Sequence, residues 1–277
     1  MVKRKSWVAA GLTLLLPGLG QIYNGHAKKG VLLLVLPFVV LLICVLVIAT
    51  DPYKLSFPVM VAVLVVCIIY HVGSVLDAFH SARSQGFEYQ LKKYNRVYVY
   101  FGVYIAFWIC SSIYRSYFRA NWFEPYVVPT ESMAPTLVIG DRFYADKRPD
   151  SLAKIERGEI ILYWLPKDPK TNYVKRVVAI AGDKVEVFGK EVRVNGKLIE
   201  TTEPVEPMNI VIQNSEIQIP EGYLFLLGDN QNNSWDSRVH GPVSVGSVVG
   251  KPLQIWMSYD SQNKTIRWSR LGTVLSN

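Results

Sequence analysis

Two side chains in this sequence have types and settings that suit nucleophilic catalysis: a serine held between prolines in VVPTESMAPTL (127–137) and a lysine in the strand-like run NYVKRVVAIAG (172–182). Pro129 and Pro135 fix φ and remove amide donors, which favours a stiff loop over a helix or central strand. A serine hydroxyl attacks a carbonyl only when a neighbouring base takes its proton. Two bases are open. His240 is the only histidine in residues 119–277, so a Ser-His-Asp triad would have to rest on it. A lysine serves instead if burial lowers its pKa enough to keep it neutral at working pH. Alternate strand residues share a face, which sets Lys175 with Val177 and Ala179 and turns Val174, Arg176 and Val178 the other way. The same pattern fits an edge-strand lysine whose amine reaches water.

Taken alone, Ser132 also reads as a turn residue bonded to its own backbone. A third segment, GDNQNNSWDSRVHGPV (228–243), adds Asp229, Ser234, Asp236, Arg238 and four amide side chains, more polar groups than a connecting turn needs. Asp229 and Asp236 could hold calcium, but the segment lacks the regularly spaced oxygen ligands and closing glutamate of an EF-hand loop. No metal ligand set and no cofactor motif is evident.

Four stretches together, VPTESMAPTL, the Gly140-Asp141 pair, YVKRVVAIAGD and GDNQNNSWDSR with a following His-Gly, resemble bacterial type I signal peptidases. These are membrane-bound serine proteases with a Ser-Lys dyad, and the stretches stand in the family's order across 127–250. The resemblance implies a signal peptidase or LexA-like β fold, with Ser132 as nucleophile and Lys175 as its base. It also implies that Ser234 orients the amine and that Thr130 and the Ser132 amide form the oxyanion hole. Asp229, Asp236 and Arg238 would support the site. Val128, Pro129, Met133, Leu137, Tyr173 and Val174 match positions near shallow pockets for small residues at −1 and −3 of a signal-peptide cleavage site. The implied partners are preprotein signal peptides, membrane lipid and the secretion translocon, with no nucleic acid.

Two departures stand out. Gln231 and Asn232 replace a frequent arginine and aspartate, which removes one ion pair from the supporting network. Glu131, where glycine is frequent, puts a charge beside the nucleophile. Within the same class, a peptidase dedicated to one substrate, such as a pilus or conjugation component, or one cleaving itself as LexA repressors do, remains open. So does a catalytically silent membrane protein that binds export partners.

The elements that must position these residues divide at about residue 118. The chain of 277 residues is half hydrophobic with net charge +8, and all the excess charge lies in residues 1–118, which carry 11 Lys/Arg against Asp51, Asp77 and Glu88. These basic residues flank apolar runs, which argues for membrane topology signals and against nucleic-acid binding. Apolar stretches at 31–49, 57–79 and 97–114 predict membrane spans, given the ~20 residues a spanning helix needs. A first stretch, 7–23, is broken by Pro17, Gly18 and Gly20 and is expected to be re-entrant, interfacial or spanning. Cys44, Cys67 and Cys110 all lie in apolar runs, which argues against a disulfide or zinc site.

Arg83, Lys92, Lys93 and Arg96 assign the link before the fourth stretch to the cytoplasm, so the expected protein is a multi-pass inner-membrane protein with residues 119–277 extracytoplasmic. PGLGQIYNGHAKKG (17–30) is similar to a short motif of small paired-helix membrane proteins. The second half predicts a mainly antiparallel, partly barrel-like β domain. Its strands are expected at 159–165, 172–182, 209–219, 223–227, 247–258 and 264–268, with alternation around an Asn195-Gly196 turn and a short accessory hairpin region at about 184–222. Trp122, Phe123 and Tyr126 precede the serine loop as either core packing or an interfacial aromatic anchor.

Overall fold

Pro17 has no amide hydrogen to continue a helix, and Gly18 takes up φ +97°, so the first apolar stretch folds as two short helices, α1 (Ser6–Leu15) and α2 (Leu19–Tyr23). The ten residues of α1 rise ~15 Å, against a hydrocarbon core ~30 Å thick. Three longer helices follow in this computed structural model: α3 (Ala27–Thr50), α4 (Phe57–Ser84) and α5 (Val97–Asn121). Each contains a segment long and apolar enough to cross a membrane. They outrun the apolar stretches read from the sequence because helical hydrogen bonding continues into polar ends. The structure describes residues 3–50, 57–84, 89–188, 191–199 and 215–275, and it divides into two compact units, Met1–Tyr117 and Phe118–Asn277.

The glycine-rich motif explains how α2 docks inside the first unit. A Cβ on Gly20 would lie 2.1 Å from the Ala9 carbonyl oxygen, and one on Gly18 would lie 2.2 Å from that of Gly30. Only glycine lets these backbones approach so closely. Gln21 and Asn24 then donate to α4: Gln21 Nε2 to the Ser74 carbonyl at 2.8 Å and to Asp77 at 3.0 Å, and Asn24 Nδ2 to the Ala78 carbonyl at 2.8 Å. Asp77, the one acid in the third apolar stretch, also pairs with Lys29 at 2.6 Å. Asn95 closes the other side, donating to the Ile22 carbonyl and to the Tyr100 hydroxyl.

In the second unit the alternating runs fold as β1 (Phe123–Val127), β2 (Asp141–Asp146), a one-turn α6 (Pro149–Leu152), β3 (Ile160–Leu165), β4 (Asp168–Ala179), β5 (Lys184–Phe188), β6 (Glu191–Val194), β7 (Lys197–Leu198), β8 (Ser215–Gln218), β9 (Tyr223–Leu227), a one-turn α7 (Ser237–His240), β10 (Val243–Ser244), β11 (Val248–Asp260) and β12 (Thr265–Ile266). The main sheet runs β1-β2-β11-β3-β4-β9-β10 with β12 on β11, and its pairs are antiparallel. Among the described residues this is a path with two ends, where the sequence suggested partial barrel closure. β11 changes partner along its length, from β3 near Val248–Gly250 to β2 beyond Lys251, with register shifts that bend it.

In detail the described elements differ from the expected bounds. β4 starts at Asp168, so the β3–β4 turn is only Pro166-Lys167, because Leu165 and Asp168 already pair. The accessory region is a four-stranded sheet, β7-β6-β5-β8, with buried Val185, Val187, Val192 and Val194, and is more than a hairpin. Its β6–β7 turn is the expected Asn195-Gly196, both at positive φ (52° and 78°). The strand predicted at 209–219 is seen as Ser215–Gln218, while 209–214 lie outside the described residues, and that at 264–268 shrinks to Thr265–Ile266.

The serine loop hangs from this sheet by its own apolar residues. Met133 and Leu137 are 1% and 0% exposed and pack with Val128, Phe143, Leu162 and Ile255. Burying each such side chain stabilises by ~1.5–3 kcal/mol. At the loop's far end Gly140 has φ +89°, and a Cβ there would lie 2.0 Å from the Tyr259 carbonyl oxygen. Gly140→Ala is expected to cost ~1–3 kcal/mol from the left-handed backbone alone, seen as a lower thermal midpoint of the detergent-solubilised chain. An unchanged midpoint would show that this approach does not hold the loop.

Candidate active site

The loop that carries Ser132 is closed at its base by two backbone bonds, Val128 N–H to the Asp141 carbonyl at 2.9 Å and Gly140 N–H to the Val128 carbonyl at 3.0 Å. Asp141, fully buried, accepts the Val138 amide and a forked contact from Arg270, at 3.0 Å from Nε and 2.6 Å from Nη2. Arg270 also donates to the Thr136 carbonyl at 2.8 Å. Arg270 went unnoticed in the sequence, since its partner lies 129 positions away and no local pattern marks it.

Lys175 comes from β4, which lies between β3 and β9 and is therefore an interior strand. That excludes the edge-strand alternative. Alternation buries Lys175, Val177 and Ala179 together, and Lys175 is 3% exposed. Its Nζ lies 2.8 Å from Ser132 Oγ and donates to the Val174 carbonyl at 3.0 Å. Burial lowers the amine from the ordinary 10.5 to about 8. Asp236 and Asp229 pull in the opposite direction, while Arg238 pushes it down further. Thr130 Oγ1 donates to Ser132 Oγ at 3.3 Å, leaving the serine hydrogen free to face the amine.

His240, the other base considered, is occupied elsewhere. Its Nδ1 lies 2.9 Å from the Gly241 carbonyl oxygen and its Nε2 lies 3.3 Å from the Tyr163 hydroxyl. Burial holds its imidazole below the ordinary histidine pKa.

The 228–243 segment wraps the lysine with two ion pairs. Arg176, pointing away from the Lys175 face, binds Asp229 through Nε at 2.8 Å and Nη2 at 2.7 Å. Arg238 binds Asp236 with both side chains essentially sealed from solvent, 2% and 0% exposed. Asp236 also accepts the Gly228 and Arg238 amides, the latter at the start of α7. At Gln231 the side-chain Oε1 is buried without a hydrogen-bond partner among the described residues, while Arg238 Nη2 reaches the backbone carbonyl at 2.9 Å. A backbone oxygen is indifferent to the side chain there. Asp229 and Asp236 are thus engaged by arginines, and no cluster of metal-binding side chains exists among the described residues.

Gly228 lets this segment meet the serine loop. A Cβ on it would lie 2.2 Å from Ser234 Oγ and 2.4 Å from the Ser132 carbonyl oxygen, which accepts the Asn230 amide at 3.2 Å. Ser234 is therefore brought beside the loop and buried. Its Oγ makes no hydrogen bond to Lys175 or to any other described residue.

Ser132, Lys175 and Thr130 line one cavity of about 130 Å³ together with all six expected pocket residues, Val128, Pro129, Met133, Leu137, Tyr173 and Val174. Tyr126, Val127, Phe143 and Leu162 complete its apolar wall and were not assigned to it from the sequence. Tyr126 was read as core or membrane anchor. The β1–β2 pairing, Tyr126 with Phe143, puts it on the cavity, with its hydroxyl donated to Glu124 at 2.7 Å. Phe123 is a core residue, 7% exposed, with Trp122 and Phe118 against it.

Residues 100–257 match the family model described as Signal peptidase, peptidase S26. The chain belongs to this family. The peptidase S26 match spans both the serine loop and the lysine strand, and ends within β11. Among curated relatives, the chain is 34% identical over 143 residues to "Probable thylakoidal processing peptidase 2, chloroplastic" of Arabidopsis thaliana, covering 49% of this chain and 38% of that protein. It is 30% identical to "Signal peptidase I" of Aquifex aeolicus over 194 residues, covering 49% of this chain and 76% of that one. With "Signal peptidase I" of Bacillus caldolyticus the identity is 32% over 158 residues, 52% and 85% of the two chains. A crystal structure of a signal peptidase I from Enterococcus faecalis V583 is 27% identical, with TM-score 0.30 over 35% of this chain and 96% of that one.

In this S26 chain the Arg238–Asp236 pair is the buried support whose loss is simplest to read. Arg238→Met leaves Asp236 charged and unpaired, and is expected to destabilise by ~3–5 kcal/mol, whereas Asp236→Leu with Arg238→Met costs less than that single change. Thermal unfolding followed by tryptophan fluorescence measures both. A double variant worse than Arg238→Met would contradict this account.

Proposed function

We propose that this chain is a membrane-bound serine endopeptidase that removes N-terminal signal peptides from exported preproteins through a Ser132–Lys175 dyad. The observation that carries the proposal is an amine lowered to about 8 by burial and held 2.8 Å from a loop serine. Neutral Lys175 takes the proton from Ser132 as Oγ attacks the scissile carbonyl. The ammonium then returns that proton to the leaving amine, and the same neutral amine activates the water that hydrolyses the acyl-enzyme. Thr130 turns its hydroxyl from Ser132 Oγ to the developing oxyanion, beside the Ser132 amide, where one such donor contributes ~3–4 kcal/mol to the barrier reduction. Ser234, buried beside the serine loop, orients the Lys175 amine during the reaction.

The small apolar cavity suits an alanine-sized residue at −1, and small residues at −1 and −3 are its expected preference. An extended preprotein segment pairs with strand backbone near the cavity, which supplies affinity without sequence reading. Asp229, Asp236 and Arg238 support the site without touching the substrate. In the topology proposed, α3, α4 and α5 cross the inner membrane, the basic link holding Lys92 and Lys93 is cytoplasmic, and residues after about 118 are extracytoplasmic. Preproteins would then reach the site as the translocon delivers them.

Cleavage of a model preprotein by the detergent-solubilised chain tests the dyad. Ser132→Ala is expected to abolish turnover and Lys175→Met to lower kcat by about 10²–10⁴-fold, while undiminished processing by both would sink the assignment. Activity confined to one partner protein would instead identify a dedicated peptidase.

The amine must be neutral to act, so kcat/KM is expected to rise with pH through an apparent pKa of about 8 and to fall on acidification below it. A profile flat from pH 6.5 to pH 9 would rule out Lys175 as the base.

A further inference from the structure

Four rings close on one another beside the dyad. Tyr163 on β3 and Tyr173 on β4 are paired across their hairpin, with ring centroids 5.8 Å apart. Trp235 lies 5.5 Å from Tyr173 and 5.0 Å from His240, and His240 completes the circuit at 6.2 Å from Tyr163. Three of the four are also tied by hydrogen bonds. Tyr173 donates to Asp168 at 3.1 Å, while His240 meets the Tyr163 hydroxyl through Nε2 and the Gly241 carbonyl through Nδ1. Trp235 is the ring turned outward, 41% exposed. A single exposed apolar side chain is ordinary on a protein surface. This one is clamped between two fixed rings, and one of those rings, Tyr173, lines the cavity that holds Ser132 and Lys175.

Its position relative to the dyad gives it a direction. The cavity wall is drawn from β1, the serine loop, β2, β3 and β4, and no residue of the 228–243 segment lines it among the described residues. That segment flanks the lysine instead. Ser234 lies against the serine loop through Gly228, and Asp236 is close enough to act on the Lys175 charge. Trp235 stands between them in the chain and rests on Tyr173, which shares a strand face with Lys175. In the mechanism proposed above, residues before the cleaved bond fill the cavity and Lys175 returns its proton to the leaving amine. The chain after the cleaved bond therefore departs past the lysine, on the side where Trp235 stands. Alternate side chains of an extended segment share a face, so −3, −1 and +2 point the same way. The +2 residue is the first of the departing chain to turn toward the enzyme.

We propose that Trp235 forms a subsite for the +2 residue of the preprotein and favours an apolar or aromatic side chain there. A ring already fixed by Tyr173 and His240 loses little freedom on contact, and preordered aromatic surface of this kind binds at low entropic cost. The inference rests on the endopeptidase reading. A wild-type chain that cleaves no preprotein sinks both, whereas cleavage indifferent to +2 sinks the subsite alone.

Peptides spanning one cleavage site, identical except for Ala, Ser, Leu or Phe at +2, test this with the detergent-solubilised full chain. The expected kcat/KM is about fivefold higher for Leu and Phe than for Ala and Ser, the size of gap that one aromatic contact supports. Trp235→Ala is expected to close that gap while the preference for a small residue at −1 persists, and Trp235→Phe to keep part of it. Trp235→Gln, which is also expected to close the gap, decides the matter if Trp235→Ala does not fold. Equal kcat/KM across the four wild-type peptides would overturn the proposal. So would a stronger dependence on +1 than on +2, or a loss in Trp235→Ala that falls equally on all four peptides and leaves the gap in place, since that is the mark of a merely structural ring.

Discussion

Keeping the Lys175 amine out of water is the constraint around which the second unit is built. A primary amine prefers to be protonated and hydrated, and only a surrounding that withholds water shifts that balance. The interior position of β4 supplies the burial. Two carboxylates, Asp229 and Asp236, lie close enough to restore the charge, and each is forked by an arginine, Arg176 or Arg238. An unpaired carboxylate in the same place would favour the ammonium. The ion pairs thus do more than hold a loop, because they keep negative charge near the lysine from being spent on it.

The serine loop shows how a short segment is held to the accuracy such a pair needs. Its apolar residues Met133 and Leu137 are members of the sheet's own core, its polar end is tied down by Asp141 and Arg270, and glycines at 140 and 228 permit two close backbone approaches. None of these depends on the chemistry of Ser132. Among the described residues Ser132 Oγ is therefore bonded only to other side chains, Thr130 at 3.3 Å and Lys175 at 2.8 Å, while the loop around it is fixed.

The helical unit follows a different physics. Where apolar side chains confer little advantage on one helix contact over another, small residues and polar side chains decide the packing. Gly18, Gly20 and Gly30 bring backbones together, and Gln21 and Asn24 bond to carbonyls and to Asp77 on α4. The glycine-rich motif is in this sense a docking segment for a helix pair. Arg4 stands apart from that network as a buried cation faced by rings.

Several features were legible in the residues themselves. Hydrophobic runs and their flanking lysines and arginines marked the helical half, period-two alternation marked the strands, and the turn at Asn195-Gly196 followed from local backbone preference, all of them consequences of near neighbours. The alternation also set Lys175 on the face of Val177 and Ala179. What alternation could not say was whether β4 lay inside the sheet or at its edge, and that decides whether the amine is dry. Its neighbour β3 is a local hairpin partner, but β9 on the other side is joined to it by long-range pairing that no short window of sequence contains. The same holds for Arg270 on Asp141, for Tyr126 on the cavity wall, and for Arg238 on the Gln231 carbonyl. Sequence determined which groups were present and which way each strand faced them. Tertiary structure decided which were sealed from water and paired, because burial is a property of what packs on both sides of a strand, and the chain learns that only on folding.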